Sequence, residues 1–509
     1  MNKPQMKPIK KALLLLSVMT VFLAGGCFCY LYLGSDAAGN SFFSEHTTNA
    51  PVTTNSPATA NAPVTVDALA AAGSKDLEMS QSAATGSTSG AGSSLDSSTE
   101  ALQGSVDSSI VSSTEALPGS ASGSISDSAT ESIPEPAPFP EYDITLMAVG
   151  DNLMHMGVVH TGKQEDGSLD YSCLYEGISA FLEKADIKII NQETILGGNE
   201  RGFSGYPYFN SPTEVGDAIA KAGFNVVLHA SNHAADQGVE GLVSCAQFWD
   251  KYPEILMTGI HADKEKAGEI PLLTIDDVTF AILNYTYGPN MEILPKSLEG
   301  HLELLCACDP ATNQIDFTTL NSKVIADIEK AKELADIVIV CPHWGTEYVT
   351  KPSSYQQKFA MQMTEAGADL IIGTHPHVVQ PVEWITSENG NRALCYYSLG
   401  NYVSTQKGGP SMLEAMSWVT FHVDEDGVSI SEDKTGIIPM VCHYTSGPVR
   451  IENIYLLEDY TAEQAASHGI RSYGGVNLTL EDLNSWSEEI LGDWVLSKNE
   501  INQSHFEFR

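Results

Sequence analysis

The chain is poor in positive charge: 26 Lys and Arg stand against 65 Asp and Glu in 509 residues, a formal net charge of −39. Nucleic acids are bound through Lys and Arg neutralising phosphates, so a protein this acidic excludes them as partners. It also disfavours adsorption to anionic membranes and repels polyanions unless cations intervene. Cysteine gives no framework. Cys27 and Cys29 lie in an apolar N-terminal segment, and the other seven are scattered and odd in number. Cys306-Ala-Cys308 is the one close pair outside that segment; buried small hydrophobes account for such residues more readily than redox or metal chemistry. Three catalytic signatures are missing as well. There is no Gly-x-Ser-x-Gly elbow, no P-loop and no Gly-x-Gly-x-x-Gly after a strand.

Large apolar residues are scarce over 35–140, where Ser, Ala, Thr and Gly dominate. Such a stretch cannot bury enough surface to offset the entropy of ordering and is expected to be disordered. Its short imperfect repeat, SSLDSSTEALQGS from Ser93 and SSIVSSTEALPGS from Ser108, is too polar and too brief for a solenoid. Flexible-chain scaling gives this linker a reach of roughly 50–60 Å. Before it, Lys3, Lys7, Lys10 and Lys11 precede an apolar run from Ala12 to about Leu33. That run approaches the ~20 residues that span a bilayer, and basic residues stay cytoplasmic. Residues 1–34 therefore read as a cytoplasmic tail and single-pass signal anchor, with everything later extracytoplasmic. A cleaved signal would carry a shorter apolar stretch. Lipoprotein processing at Leu23-Ala-Gly-Gly-Cys27 is the other rival, but apolar residues continue past Cys27.

From 141 onward the chain reads as globular. Strand patterns fall at 144–149, 187–191, 225–230, 279–285, 336–341, 369–373, 393–398 and 416–423, with helical patterns between several of them. Val239, Leu242, Val243, Ala246 and Trp249 share one helical face, as do Val324, Ile328, Ala331 and Ala335. The alternation implies an α/β domain over 141–430 built of βαβ units around one largely buried sheet. Residues 431–509 read as a C-terminal extension packed on it, with a strand-like stretch at 451–457 and helices near 462–467 and 480–491.

Metal-binding residue types recur where the hydrophobic runs stop. ITLMAVGD ends in Asp151, IKIINQE in Glu193, NVVLHASNH in Asn232 and His233, IVIVCPHWGTE reaches His343, and LIIGTHPH ends in His375 and His377. In open α/β sheets the ligand crevice lies beyond the carboxyl ends of the strands, so these side chains are placed to converge. In an extended backbone His375 and His377, two apart, would point the same way. Imidazoles mixed with oxygen donors suit Mn, Zn or Fe, and there are enough donors for one or two ions. Two ions would clamp an in-line displacement at phosphorus.

The ordered set Met147-Ala-Val-Gly-Asp151, Asn191-x-Glu193, Ser231-Asn-His233-x-x-Asp236-x-Gly238, His343-Trp-Gly-x-Glu347-Tyr, Gly373-x-His375-Pro-His377-Val and Ser398-Leu-Gly-Asn401-Tyr resembles the bacterial CapA family of capsule, or poly-γ-glutamate, synthesis proteins. The resemblance covers roughly residues 143–425. It implies a calcineurin-like metallophosphoesterase fold, a four-layer αββα sandwich with two central sheets. It further implies metal ligation by Asp151, Glu193, Asn232, His343, His375 and His377, and catalysis by His233, a general acid, with Asp236. Trp344, Glu347, Tyr348 and Asn401 would then face substrate, and membrane-bound polymer-synthesis proteins would be partners. Two departures from working phosphoesterases bear on this. The early Asp-x-His becomes Asp151-x-x-x-His155, which puts ligation by His155 in question. Asn191-x-Glu193 replaces a bridging aspartate, which puts a two-metal centre in question. Ser231 also stands where the family commonly has Asn. Three functions follow as alternatives: synthesis, export or anchoring of an anionic polymer, metal-dependent hydrolysis of a cell-envelope phosphoester, and a surface module with a vestigial site.

Overall fold

The computed structural model describes residues 140–504. The expected anchor, the lipobox-like Cys27, the repeat and all but the last residue of the linker lie outside the described residues. Among the described residues no helix is long and apolar enough to cross a membrane.

Four parallel strands come first: β1 (Tyr142–Asn152), β2 (Ile187–Asn191), β3 (Val226–Leu228) and β4 (Leu256–Thr258). Parallel neighbours need long crossovers. The helices Thr213–Ala222 and Gly238–Phe248 provide two of them, and each buries an apolar stripe, Val215 and Ile219 on the first, Leu242 and Ala246 on the second. The chain then leaves this sheet. Strands β5 (Leu272–Ile275) and β6 (Val278–Thr286) form a hairpin, and β7 (Cys306–Cys308) and β8 (Ile315–Leu320) a separate two-stranded ribbon. Next come β9 (Ile337–His343), β10 (Leu370–Ile372), β11 (Val382–Thr386) and β12 (Arg392–Tyr396). They complete a six-stranded mixed sheet in the order β11-β12-β10-β9-β6-β5. Helices Ser322–Lys332 and Ser354–Ala366 accompany it, the second held at its start by a capping box between Ser353 and Gln356.

The chain finally returns to the first sheet. There β13 (Asn401–Val403) pairs in parallel with β1, and β14 (Leu413–Asp424) lies antiparallel to it. Strands β15 (Gly427–Ile430), β16 (Gly436–Thr445) and β17 (Arg450–Leu456) follow, and the sheet reaches nine strands. The domain is therefore mixed α/β with two large mixed sheets, which corrects the single sheet that periodicity suggests. Periodicity reports how deeply a strand is buried and carries no information about which strand lies beside it. One apolar core runs through both sheets, and Phe280 of β6 meets Phe421 of β14 with ring centroids 5.1 Å apart.

Candidate metal centre

The carboxyl ends of β1, β2 and β3 in the larger sheet meet those of β9 and β10 in the smaller one. Two glycines explain how closely the segments approach. A Cβ at Gly150 would lie 2.0 Å from the Gly400 carbonyl oxygen, and one at Gly373 would lie 2.1 Å from that of Tyr397. Only glycine fits at either point, which gives the Gly-Asp and Gly-x-His-Pro-His sequences a steric reason.

Asp151, next to last in β1, is fully buried. Its Oδ1 accepts a hydrogen bond from the Asn191 amide at 2.7 Å, and its Oδ2 lies 3.0 Å from His377 Nδ1. The His375 backbone N–H also donates to this carboxylate, at 3.2 Å to Oδ2. Glu193, just beyond β2, is 1% exposed, and neither carboxylate oxygen has a hydrogen-bond partner. Its Oε1 stands 3.9 Å from His343 Nε2 and 3.8 Å from His377 Nε2. His343, the last residue of β9, is fixed through Nδ1 by the Thr374 hydroxyl at 3.0 Å, while its Nε2 is 2.9 Å from the Asn232 side-chain oxygen. His375 is buried against Tyr287 and His343, both with ring centroids 4.8 Å away, and its Nδ1 has no partner.

The donor atoms converge in overlapping sets. Asp151, Glu193 and His377 form one, and Glu193, His343 and His375 another; within each set the ligand atoms lie within 4.8 Å of one another. Glu193 belongs to both. Glu193 thus sits between the two sets, one carboxylate common to both. A third set, Glu347, His375 and His377, lies at the solvent side, since Glu347 is exposed.

One local expectation fails. His375 and His377 are not on an extended strand: β10 ends at Ile372, and the two histidines have φ of +98° and +58°. Side chains other than glycine occupy this region at a cost of about 1–3 kcal/mol, typically at functional sites. The rings converge through a strained turn, with centroids 5.8 Å apart, and not through strand alternation.

Charge within the cluster follows from burial. Desolvation and the imidazoles of His375, His377 and His233 hold His343 well below its ordinary pKa; desolvation, His377 and His233 do the same to His375. Both rings are therefore neutral, the form that ligates metal. Burial pushes the Glu193 carboxyl well up despite the opposing pull of His377, and Asp151 pushes it further. Burial would also lower His377, but Glu193 and the hydrogen bond to Asp151 outweigh it and raise the ring to about 9. The pull of these acids on His377 marks the place where a divalent cation would fit. The orphaned oxygens of Glu193 and the orphaned Nδ1 of His375 fit a metal, because buried polar atoms otherwise find partners.

The remaining predicted residues fall in different places. His233 and Asp236 form a dyad, Nδ1 to Oδ2 at 2.8 Å, and the Phe209 N–H holds the same Oδ2 at 2.7 Å. The Ser231 hydroxyl donates to the Glu193 carbonyl at 2.6 Å and accepts the His233 N–H at 3.1 Å, linking the β2 and β3 ends. Tyr348 is half exposed, its ring 5.9 Å from that of His377. Asn401 is buried, its amide donating to the His377 carbonyl at 3.4 Å, with its side-chain oxygen unpartnered. Trp344 is buried in the core, stacked on Tyr397 and donating its indole N–H to that residue's carbonyl. His155 is in none of the donor sets: it packs edge-on against Phe209, and its Nδ1 accepts the Thr405 N–H. Sequence reasoning missed Tyr287, which no motif marks, and the role of the Asn191 amide, although its motif was visible.

A family model described as bacterial capsule synthesis protein PGA_cap matches residues 145–406, which hold every one of these residues. The chain belongs to that family. Among curated relatives it is 32% identical over 234 residues to "PGA biosynthesis protein CapA" of Bacillus subtilis (strain 168), covering 45% of this chain and 54% of that protein. It is 26% identical over 296 residues to "Capsule biosynthesis protein CapA" of Bacillus anthracis, covering 56% and 66%. The chain thus spans about half to just under two thirds of the length of these curated relatives. Among solved structures, a hypothetical protein from Thermus thermophilus is 14% identical, covering 58% of this chain and 99% of that one, with a TM-score of 0.31.

Proposed function

We propose that this chain serves the synthesis, export or anchoring of an anionic capsule polymer such as poly-γ-glutamate, and that its domain does so through a two-metal centre of phosphoesterase type. The observation that carries the chemical part is Glu193, common to two converging donor sets. Family membership and the two capsule-named relatives support the biological part. Two facing sheets with helices alongside each support the αββα metallophosphoesterase-like layering.

In this reading Asp151, Glu193 and His377 hold one ion, and Glu193, Asn232, His343 and His375 the other. Bound divalent ions, Mn, Zn or Fe, supply Lewis acidity and an activated water. The chain's own residues do the rest. Asp236 fixes His233 through Nδ1, leaving Nε2 to hold the proton that a leaving oxygen takes up. Ser231 keeps His233 and Glu193 in register. The lysine-flanked apolar segment at 12–33 anchors the protein in the membrane with the domain outside, beside membrane-bound polymer-synthesis proteins. Cations also reconcile an acidic protein with an acidic polymer, since they bridge like charges.

Two measurements test the two parts separately. Deleting the gene should reduce surface polymer, and unchanged polymer would rule out the capsule role. The purified protein should cleave an aryl phosphodiester in a chelator-sensitive way; loss of that activity in His233→Ala with metal content kept is the expected signature. A metal-loaded protein with no such activity would leave a binding centre and overturn hydrolysis.

A further inference from the structure

Three protein donors, Asp151, Glu193 and His377, leave coordination positions open on the ion they would share, and His155, committed to Phe209 and the Thr405 N–H, does not fill one. Among the described residues Glu347 is the one further carboxylate that belongs to a donor set. Its oxygen lies within 4.8 Å of ring nitrogens of His375 and His377, and the unpartnered Nδ1 of His375 is buried among the same groups. An exposed acidic side chain on a loose loop would carry no weight, but this loop is fastened. The Tyr348 N–H donates to the Pro376 carbonyl at 2.8 Å, tying the segment to the His375-Pro-His377 turn. The Gln380 amide donates to the Val349 carbonyl at 2.7 Å, and Gln356 donates to Gln380 at 2.7 Å. Tyr348 itself adopts φ +64°, a conformation that fixes how the chain leaves Glu347.

We propose that Glu347 is the solvent-side metal ligand of this centre, a carboxylate standing where His155 does not reach. The proposal rests on the two-metal reading above and refines it. Glu347 adds a third carboxylate to a centre that already holds those of Asp151 and Glu193, which raises its share of oxygen donors and favours oxygen-preferring ions such as Mn²⁺ over Zn²⁺. Being exposed, Glu347 is also the ligand that can exchange with an incoming substrate oxygen.

The test is Mn²⁺ and Zn²⁺ titration by calorimetry, with metal content per chain, on the purified full-length protein and its Glu347→Ala, Glu347→Gln and His155→Ala variants. Circular dichroism of the metal-free forms checks the fold, which an exposed substitution at 347 should leave intact. Both Glu347 variants should weaken one Mn²⁺ position by at least the roughly 10- to 100-fold that loss of an outer-shell partner costs. Zn²⁺ should be affected less, and folded His155→Ala should bind Mn²⁺ as the parent does. Parent-like Mn²⁺ affinity in Glu347→Ala would overturn the proposal while leaving the two-metal reading intact. A parent protein that binds neither ion would overturn both.

Discussion

Glu193 and Glu414 are two buried carboxyls of the larger sheet's neighbourhood that look alike by every local measure. Each is at most 1% exposed, neither has a hydrogen-bond partner on either oxygen, and burial raises both well above the ordinary carboxylate range. Their surroundings differ. Glu193 lies among His343, His375 and His377 and belongs to two donor sets, whereas Glu414 belongs to none. Histidines repeat the contrast. His229 is as buried as His375, but its Nε2 accepts the Trp249 indole N–H at 2.8 Å, while His375 Nδ1 is left unpartnered. Burial and a shifted pKa mark a costly group; convergence of several unsatisfied donors on one point marks a site.

Substitutions at these residues test the contrast. Glu193→Gln should have the largest effect, because it removes a donor from both sets. At metal concentrations 100-fold above Kd, each bound ion should stabilise the parent by about 2.7 kcal/mol, and this gain should vanish in the variant. Thermal melts with and without Mn²⁺ read it directly. His375→Ala should lose one ion of two, while His229→Gln, altering an equally buried ring, should keep both; metal content per chain separates them.

The acid limb of stability gives a third comparison. Burial holds His229 neutral down to about 3, far below its unfolded value of 6.5. The unfolded chain binds that proton first, so the stability this ring contributes is present above pH 6.5 and is lost as pH falls toward 3. It amounts to a few kcal/mol, and urea melts across that range should show a shallower acid limb in His229→Gln. Glu414→Gln should be mildest. Its raised pKa means stability is lost as pH rises above the unfolded value of 4.5, so the neutral amide should gain on the order of 1 kcal/mol at neutral pH. Its metal content should match the parent; a lost ion there would erase the distinction between the two carboxyls.

Much of this is legible in the sequence alone. All eight strand patterns correspond to strands, β1, β2, β3, β6, β9, β10, β12 and β14, because apolar runs bounded by polar residues mark buried strands well. The unread strands have physical reasons. β5 alternates exposed and half-buried residues at an edge, with Leu272 41% exposed, and β16 carries Pro439, which argues against a strand. Site residues are legible as polar endings of those runs. The pairing of strands into two sheets, the strained turn at His375 and His377, and the Tyr287 ring against His375 depend on long-range packing that no local pattern encodes.

On this reading Glu193 stands between two metal positions. Crystals of the Mn²⁺-loaded protein, measured at the manganese absorption edge, test it most directly. Two anomalous peaks about 3.5–4 Å apart are expected, with the Glu193 carboxylate between them. A single peak, or two peaks neither of which touches Glu193, would contradict it.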